Sequence, residues 1–309
     1  MIDFTGQVVI VTGGGRGLGR LYAMEIARRG GSVVVNDLGG TMRGEGSDCT
    51  VADQVVEEIE RASGVAVASY DSVTSPEGGA AIVRTAVDRF GRLDAVVSNA
   101  GIFHTVDFEH LAPADWRRMI NVHLDGSFHL SQAAFRVMKS QGYGRFVFIA
   151  SSAGLFGQPQ TAHYAAAKAG IVGLSNVIAI EGAAYGILAN SVLPFGLSRM
   201  VTETIGGEQV AAELPFLRAI EPELVVPIVV FLASRACELT HHNYSAGAGR
   251  YARVFIGLAD GWLAEPGSQP TADDVAAHLA EVSATEPFCV PASIFDEVAG
   301  ICARLGITP

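Results

Sequence analysis

The sequence has few of the features that mark several large protein classes. Lys and Arg together number 21 against 32 Asp and Glu, so the formal net charge is −11 and basic residues are not in excess. This balance argues against binding to nucleic acid or an anionic membrane surface, because both need an extended basic face. The four cysteines are scattered and form no Cys-x-x-Cys pair. We therefore expect no disulfide framework and no metal site, and buried free thiols instead.

The sequence also has few long apolar segments. No hydrophobic run approaches the roughly 20 residues that cross a bilayer. The start of the chain, MIDFTGQVVIV, lacks the basic region and the long apolar stretch of a secretory signal. The final residues, Gly-Ile-Thr-Pro, are not a peroxisomal Ser-Lys-Leu address. We therefore expect a cytoplasmic protein that does not contact membranes.

What the chain does have is an alternation of short apolar runs with helical segments. The runs are rich in β-branched residues and lie at 7–12, 32–36, 65–70, 93–98, 145–150 and 187–192. Such alternation predicts an α/β fold with a doubly wound parallel sheet. No linker rich in Pro, Gly or Ser interrupts the 309 residues. We expect one domain, 1–309, with a core at about 5–250 and a C-terminal extension at about 251–309.

Several helical segments carry specific expectations. Residues 115–139 and 161–185 each have the periodicity of one long helix, and residues 271–305 also show helical periodicity. In the segment 222–235, Pro222 suits the first turn of a helix, whereas Pro227 is expected to kink it.

The first strand leads directly into a glycine-rich turn that opens a helix. The glycines permit a tight turn and close approach of a phosphate to backbone N–H groups, while the dipole of the helix favours an anion. Their spacing is Gly-x-x-x-Gly-x-Gly rather than Gly-x-Gly-x-x-Gly. We expect a nucleotide to bind here, with contacts from Gly13, Arg16, Gly17, Leu18 and Gly19.

Asp37 ends the second strand, 24 residues after Gly13. A carboxylate here accepts hydrogen bonds from the adenosine ribose hydroxyls and repels a 2′-phosphate, which favours NAD over NADP. Arg16 argues the other way, because a guanidinium in the glycine turn can contact a 2′-phosphate. Asp37 is the more direct determinant, so NAD is the expected cofactor.

Other strand ends supply further cofactor candidates. Asp71, with Ser72 beside it, either accepts from the adenine amino group or serves as a turn or N-cap residue. The loop at 38–48 is longer than the usual connection of about two to six residues, and is either a mobile flap beside the adenosine or a tolerated insertion. Small residues at the end of the fourth strand leave room for a cofactor ribose, namely Asn99, Ala100 and Gly101.

The predicted chemistry centres on Tyr164 and Lys168, which lie four residues apart in an alanine-rich helical stretch and so share one helix face. A free phenol has a pKa of about 10, too high for proton transfer at neutral pH. We expect the Lys168 ammonium to lower the pKa of Tyr164 and make it a general acid or base. Ser151, after the fifth strand, is expected to place its hydroxyl at the carboxyl edge of the sheet, where such folds bind ligands.

Together the glycine turn, Asn99-Ala100-Gly101, Ser151 and Tyr164-x-x-x-Lys168 resemble the short-chain dehydrogenase/reductase family over about residues 5–250. The resemblance implies a Rossmann fold with strand order 3-2-1-4-5-6-7. It also implies hydride transfer between nicotinamide C4 and an alcohol or carbonyl carbon. In such a site Tyr164 is the general acid/base, Lys168 lowers its pKa and holds the nicotinamide ribose, and Ser151 hydrogen-bonds the substrate oxygen.

A narrower resemblance spans nearly the whole chain, including the tail after Trp262. It is to the (3R)-hydroxyacyl-CoA dehydrogenase units of peroxisomal multifunctional enzymes of type 2, and implies a fatty-acyl or sterol side-chain CoA thioester as substrate. A steroid or xenobiotic alcohol dehydrogenase, a 3-oxoacyl-(acyl-carrier-protein) reductase and a catalytically idle nucleotide sensor are the alternatives. The segments that carry the resemblance are VVVNDLGG (33–40), VVEEI (55–59), YDSV (70–73), HLDGSF (123–128), AIEG (179–182) and SRM (198–200).

Two places depart from related sequences. The wider family usually has an asparagine where His123 stands, and that asparagine anchors a proton-relay water; the hydroxyacyl-CoA subgroup resembles this chain in having histidine. His123 therefore either serves a relay or is satisfied by backbone partners, with Asn121 as an out-of-register alternative. After the sixth strand the subgroup has Ala-Pro-Asn-Ala-Gly, whereas this chain has Leu-Pro-Phe-Gly-Leu. We expect cofactor contacts here from Pro194, Gly196 and Leu197.

A CoA thioester carries several negative charges, which an acidic protein must meet locally. The candidates, unless they are simply solvated surface residues, are Arg199, Arg250 and Arg253. The family resemblance further implies a homodimer or homotetramer. A subunit contact and core burial explain equally well the apolar helix positions Ile171, Leu174 and Ile178.

Overall fold

A computed structural model describes residues 1–198, 202 and 213–308 of the chain. The chain divides into two compact units, Met1–Arg253 and Val254–Pro309. The expectation of one domain with an appended segment stays a prediction.

The strands of the first unit form one sheet. In chain order they are β1 (Val8–Thr12), β2 (Ser32–Asn36), β3 (Val65–Ser69), β4 (Ala95–Ser98), β5 (Gly144–Ile149), β6 (Ile187–Phe195), β7 (His242–Gly247) and β8 (Arg250–Val254). Across the sheet their order is β3-β2-β1-β4-β5-β6-β7-β8. Neighbours from β3 to β7 pair in parallel, which confirms the predicted Rossmann order 3-2-1-4-5-6-7.

The composition of the central strands explains their place. In β1, β4 and β5 every residue is buried, and β1 and β4 consist mostly of valine and other small or β-branched residues. Such side chains fit a pleated surface that is covered on both faces. Strand β6 continues beyond the predicted end at residue 192, through Pro194. Its last partner in β5 is Ile149, opposite Val192, so no β5 residue needs the N–H that proline lacks.

Helices cover both faces of the sheet. Helices α1 (Gly17–Arg28) and α2 (Thr50–Arg61) share one apolar cluster with α9 (Val226–Ala233) on one face. The helices that contact the strands on the other face are α3 (Pro76–Phe90), α5 (Gly126–Gln141) and α7 (Ala162–Gly182). The shorter helices of this unit are α4 (Pro113–Ile120), α6 (Ser152–Phe156) and α8 (Pro215–Ala219), with 3₁₀ turns at Phe108–His110, Ala183–Tyr185 and Pro222–Leu224.

The segment predicted as one long helix, 115–139, is helical throughout but contains a π-helical turn that the sequence did not predict. Helix α4 is followed by a π-helical turn, Asn121–Asp125, before α5 begins. The Ser127 hydroxyl donates to the carbonyl of His123, with 2.6 Å between the oxygens. The wider turn changes the direction of His123 relative to a regular helix, and π-turns inside α-helices are frequent at functional sites.

The expected kink at Pro227 is also absent. Helix α9 begins at Val226, so Pro227 lies in its first turn, where its missing N–H has no partner to lose. Pro222 starts a separate 3₁₀ turn.

The second unit contains short elements. Strands β9 (Leu258–Ala259) and β10 (Phe288–Cys289) pair antiparallel, and the helices are α10 (Ala272–Ala277), α11 (Leu279–Val282) and α12 (Ile294–Leu305). The helical segment predicted at 271–305 is therefore interrupted between 282 and 294. Pro287 and Pro291 lie in this interval, and proline is excluded from helix interiors.

Two expectations from the sequence need correction. All four cysteines are free, but only Cys237 and Cys302 are buried, while Cys49 and Cys289 are exposed. One helix of the described chain, Ala162–Tyr185, is long and apolar enough to span a bilayer by length and composition alone. It packs against β5 and β6, and helices packed in a protein core meet the same criterion.

A buried carboxylate ties the amino ends of three strands together. Asp94, directly before β4, is fully buried and accepts from Val8 N–H of β1 (2.9 Å) and from the Arg92 guanidinium (2.6 and 2.7 Å). Its backbone carbonyl accepts from Arg145 of β5 at 2.9 Å. Ionised acceptors make stronger hydrogen bonds than neutral ones, so this cluster fixes the relative heights of the central strands.

We predict that Asp94→Ala lowers the free energy of unfolding by about 3 kcal/mol, because the buried Val8 N–H loses its carboxylate acceptor and Arg92 loses its partner. Urea unfolding followed by circular dichroism measures the change. The control is Glu57→Ala, which removes an exposed ion pair with Arg61 and should change stability by less than about 1 kcal/mol. Equal effects of the two substitutions would contradict this role of Asp94.

Candidate active site

The structure brings three of the four predicted catalytic side chains, Ser151, Tyr164 and Lys168, together at the carboxyl edge of the sheet. Ser151 follows β5 and is the N-cap of α6, where its hydroxyl oxygen accepts from Ala153 N–H at 3.2 Å. The same hydroxyl hydrogen-bonds the phenol of Tyr164. Lys168 lies one helical turn further along α7, and its Nζ donates to the Ile149 carbonyl at 2.6 Å. Ser151 therefore both caps α6 and contacts the phenol of Tyr164.

Two rings hold the ring of Tyr164 by edge-to-face contacts. The centroid of Phe103 lies 5.0 Å away at an interplanar angle of 89°, and that of His123 lies 5.3 Å away at 88°. Edge-to-face packing is a preferred arrangement of aromatic rings. Sequence reasoning missed Phe103; its position two residues after Asn99-Ala100-Gly101, at a strand end, is the signal that could have found it.

His123 links this cluster to the backbone. It is 2% exposed, and its Nε2 lies 3.1 Å from the amide nitrogen and 2.7 Å from the carbonyl oxygen of Ile102. The other ring nitrogen, Nδ1, is buried and has no hydrogen-bond partner in the described residues. Burial, with a further contribution from Lys168, holds the pKa of His123 well below its usual value. His123 is therefore a neutral imidazole that backbone partners satisfy at one nitrogen only.

Gly101 makes room for the imidazole of His123. A Cβ at this position would lie 2.4 Å from Cε1 of His123. The room for a cofactor ribose that the sequence predicts here stays a prediction.

The electrostatics of the site differ from the sequence prediction. Burial raises the pKa of Tyr164, and the hydrogen bond from Ser151 opposes this only in part. Burial also lowers the pKa of Lys168 to about 7. The Lys168 Nζ lies 5.6 Å from the centroid of the Tyr164 ring, and its own charged form is disfavoured by the same desolvation. The expected lowering of the Tyr164 pKa by Lys168 is therefore not found.

A second pair of side chains borders the site. His104 and His163 face each other with 3.1 Å between their Nε2 atoms. Burial lowers the pKa of both imidazoles, so both are neutral at pH 7. One imidazole then donates its Nε2–H to the Nε2 of the other. Val106 N–H also donates to the Gln160 carbonyl at 2.9 Å. These contacts join the segment after β4 to the start of α7, and sequence reasoning found neither histidine.

The glycine-rich turn is held in place by Asn99. The Asn99 side-chain amide donates to the carbonyls of Thr12 (2.9 Å) and Gly13 (3.2 Å), and the hydroxyl of Thr12 accepts from the amides of Asn99 and Ala100. A Cβ at Gly19 would lie 2.0 Å from the Gly13 carbonyl oxygen, so helix α1 can start here only with glycine. Asn99 and Ala100 thus shape the nucleotide turn itself.

The start of α1 is suited to an anion. Helix α1 has no side-chain N-cap and no acidic residue in its first turn, whereas α3 is capped by Ser75 and has Glu77. Gly17 has φ of +50°, which glycine adopts without strain. Leu18 lies close to Gly196, since a Cβ at Gly196 would be 3.3 Å from Leu18 Cδ2. The free N–H groups and the helix dipole fit a phosphate group.

Asp37 lies at the end of β2 beside the turn. One carboxylate oxygen accepts from Gly15 N–H at 2.9 Å and the other from Gly39 N–H at 2.8 Å. Arg16 donates to the Gly40 carbonyl at 3.2 Å, so its guanidinium is turned towards the loop at 38–48.

The remaining predicted cofactor residues line the same edge. Asp71 is exposed, and its carboxylate accepts from the Ser69 hydroxyl at 3.4 Å. The N-cap alternative for Asp71 is wrong, since Ser75 caps α3. The other three have these placements: Ser72 Oγ is 2.9 Å from Thr74 Oγ1, Pro194 pairs with Ala246 in β6, and Leu197 N–H donates to the Ile220 carbonyl at 2.7 Å.

The three candidate arginines do not form one group. Arg250 follows the Ala248-Gly249 turn at the carboxyl edge of β7, and its Nη1 is 3.5 Å from the Ser245 hydroxyl. Arg253 acts electrostatically on His241 and His242, at the opposite end of β7. Arg199 lies outside the described residues. Arg250 alone of the two described arginines is placed near the substrate edge.

Comparisons with known proteins agree with this geometry. The profile of the family described as short chain dehydrogenase matches residues 7–208. Peroxisomal multifunctional enzyme type 2 of Mus musculus is 46% identical over 248 residues, covering 80% of this chain but 32% of the mouse protein. The chain thus spans about a third of that relative.

Two solved structures extend the comparison. Full-length peroxisomal multifunctional enzyme type 2 from Drosophila melanogaster has a TM-score of 0.82 at 31% identity, covering 99% of this chain and 50% of that one. Carveol dehydrogenase from Mycobacterium avium, in complex with NAD, has a TM-score of 0.74 at 25% identity, covering 81% of this chain and 99% of that one. This chain belongs to the short-chain dehydrogenase/reductase family of oxidoreductases. As a member it takes a nicotinamide cofactor and a small-molecule substrate.

The pKa of Lys168 leads to a prediction on stability. A lysine whose pKa falls from 10.5 to about 7 on folding destabilises the fold fully below pH 7, and this cost disappears as the pH rises towards 10.5. Relative to Lys168→Met, the wild type should therefore gain about 2 kcal/mol of unfolding free energy between pH 7.5 and 9. Urea unfolding of the cofactor-free proteins at both pH values measures this difference. A constant difference between the two proteins would contradict the burial of a titrating lysine.

Proposed function

We propose that the protein is an NAD-dependent oxidoreductase that interconverts the 3-hydroxyl and 3-oxo groups of (3R)-hydroxyacyl-CoA thioesters with fatty-acyl or sterol side chains. The convergence of Ser151, Tyr164 and Lys168 beside the glycine turn carries the general reaction. The sequence resemblance to hydroxyacyl-CoA dehydrogenase units, together with 46% identity to the mouse multifunctional enzyme, supports the thioester.

The residues around the glycine turn fit a dinucleotide. The uncapped start of α1 would hold the pyrophosphate, and Asp37 would accept from the adenosine ribose hydroxyls with the lone pairs that Gly15 and Gly39 leave free. A 2′-phosphate would meet the Asp37 carboxylate, and Arg16, which donates to Gly40, is directed away from that task. These contacts favour NAD over NADP.

The side chains of the site have separate tasks in the reaction. NAD, when bound, supplies the hydride acceptor at its nicotinamide. Ser151 holds the substrate oxygen, and Tyr164 exchanges a proton with it. A raised pKa keeps Tyr164 protonated, the form that donates a proton in reduction, whereas oxidation needs the phenolate. Lys168 has donors left for ribose hydroxyls, and such hydrogen bonds would stabilise its charge and with it the phenolate.

We assign His123 to the same proton chemistry. Its Nε2 is occupied by Ile102, but Nδ1 is buried and free of hydrogen bonds in the described structure, and the ring lies edge-to-face beside Tyr164. The imidazole therefore positions the Tyr164 ring, and Nδ1 is the atom through which a relay would pass.

The surroundings of the site support an apolar substrate chain. Phe195, at the end of β6, packs edge-to-face on Phe216 with 6.2 Å between centroids, and both rings are partly exposed. Phe156, at the end of α6, is 71% exposed. Arg250, at the same edge of the sheet, is the described arginine that we assign to the phosphates of CoA.

The proposal also covers the subunit assembly and the cellular location of the protein. Ile171 and Ile178, considered above for a subunit contact, are buried in the protomer, whereas Val177 and Ile180 of α7 are each about half exposed. We propose a homodimer or homotetramer in the cytoplasm that uses these exposed positions of α7.

A substrate panel tests the proposed activity. Initial rates are measured with (3R)-hydroxyacyl-CoA thioesters of several chain lengths, their (3S) enantiomers and a 17β-hydroxysteroid, each with NAD and with NADP. We expect turnover of the (3R) thioesters, at least about tenfold more efficient with NAD because Asp37 repels a 2′-phosphate. Turnover of the steroid without turnover of the thioesters would overturn the substrate assignment but keep the family.

We predict that Tyr164→Phe lowers turnover by a factor on the order of a hundred or more while NAD still binds, since only the proton-exchanging hydroxyl is lost. Steady-state kinetics and NAD titration by calorimetry measure the two effects. Tyr185→Phe is the matched control, because Tyr185 follows the other end of α7 and packs under Lys139. Near-normal turnover of Tyr164→Phe would contradict the role of the phenol.

A further inference from the structure

The long loop at 38–48, called the strap below, is an ordered structure. Its base is closed by a hydrogen bond from Asp48 N–H to the Leu38 carbonyl at 2.9 Å. Inside it, Thr41 N–H donates to the Glu45 carbonyl and Gly44 N–H to the Thr41 carbonyl, both at 2.9 Å. Closed ends and internal hydrogen bonds are the marks of a compact Ω-loop. The strap is thus a compact loop, and the two alternatives considered from the sequence, a mobile flap and a tolerated insertion, stay predictions.

One end of the strap contacts Asp37, which we assign to the adenosine ribose, and Arg16 of the glycine turn. Gly39 N–H donates to the Asp37 carboxylate at 2.8 Å, and Arg16 of the glycine turn donates to the Gly40 carbonyl at 3.2 Å. A ligand that hydrogen-bonds Asp37 therefore acts on the same carboxylate that orients the start of the strap.

The far end of the strap contacts the segment that holds the catalytic tyrosine. Phe103 N–H donates to the Met42 carbonyl at 2.9 Å, and Glu45 forms an ion pair with Arg118 of α4 at 3.5 Å. Gly44 lies against Ile102, since a Cβ at Gly44 would be 3.1 Å from Ile102 Cγ2. Ile102 is hydrogen-bonded to His123 through its backbone, and Phe103 packs on the Tyr164 ring.

We propose that the strap is a positioning element that couples binding of the adenosine ribose to the placement of Tyr164. Occupation of Asp37 fixes the start of the strap, and the ion pair of Glu45 with Arg118 holds its far end against α4. The Met42 carbonyl and Gly44 then fix residues 102–103, and these fix the ring of Tyr164. The proposal rests on the dinucleotide site described above. This coupling free energy is reciprocal. If binding of the adenosine half stabilises the order of residues 102–103, then order at 102–103 raises the affinity for the adenosine half by the same factor.

Hydrogen exchange with 5′-AMP tests the coupling without any turnover. AMP contains the adenosine ribose but no nicotinamide, so it cannot contact Tyr164 through the reacting ring. In the wild type, saturating AMP should slow amide exchange in the glycine turn and also slow exchange of the Phe103 amide by about fivefold or more. In a variant with residues 41–46 replaced by two glycines, AMP should slow exchange in the glycine turn only.

Point substitutions keep the test independent of the excision. Arg118→Ala removes the ion pair with Glu45 and should lower the AMP effect on the Phe103 amide, by up to about fivefold. Arg118→Lys restores an ammonium partner and should recover most of the effect. The control Arg61→Ala removes an exposed ion pair of similar length, 3.6 Å, on α2 and should leave the effect unchanged.

The outcomes separate the strap from the cofactor assignment. Protection of the glycine turn without protection of Phe103 in the wild type overturns the coupling alone. Full protection of Phe103 in the excision variant overturns it as well. No protection anywhere with AMP overturns the dinucleotide site, and the proposal with it.

A kinetic experiment examines the same coupling in the reaction. With nicotinamide mononucleotide as the hydride acceptor, added AMP should raise kcat of the wild type by about fivefold or more, because AMP orders the strap in trans. The excision variant should show no increase at any AMP concentration. An equal increase in both proteins would overturn the role of the strap.

Discussion

A buried imidazole held against the backbone of Ile102 limits where the ring of Tyr164 can lie. His123 contacts both the amide and the carbonyl of Ile102 while its ring edge meets Tyr164, so one side chain joins the loop after β4 to α7. This contact depends on two further features: the π-turn at Asn121–Asp125, which directs the imidazole, and the missing side chain of Gly101, which gives it space. Both features are needed because the imidazole at position 123 is larger than an asparagine side chain.

Burial around this contact shifts three titratable groups towards their neutral forms. It raises the pKa of Tyr164 and lowers the pKa values of Lys168 and His123, so each group is moved towards its neutral form. A neutral, water-poor site strengthens every later electrostatic interaction within it. The protonation states needed for oxidation therefore depend on hydrogen bonds that the cofactor and substrate bring, and less on the pair Tyr164 and Lys168 alone.

The sequence predicted those parts of the fold that depend on local patterns. Apolar runs with β-branched residues defined the parallel strands, glycine spacing located the tight turn before α1, and the Tyr-x-x-x-Lys spacing placed both side chains on α7. The parts it missed depend on contacts between distant segments. Phe103 reaches Tyr164 only because β4 and β5 are neighbours, and the His104–His163 pair joins segments 59 residues apart. The direction of the Tyr164 pKa shift was predicted wrongly because burial is a tertiary quantity that spacing does not contain.

The residues at the two ends of β4 have different structural roles. Before it stands Asp94, which fixes the strands to one another, and after it stands Asn99, which shapes the cofactor turn. Four residues of strand, about 13 Å, lie between them. Substitutions at the carboxyl end of β4 can therefore change that edge of the sheet without disturbing the anchor at Asp94. This arrangement lets a lineage change its chemistry at one rim of the sheet while selection for foldability acts at the other.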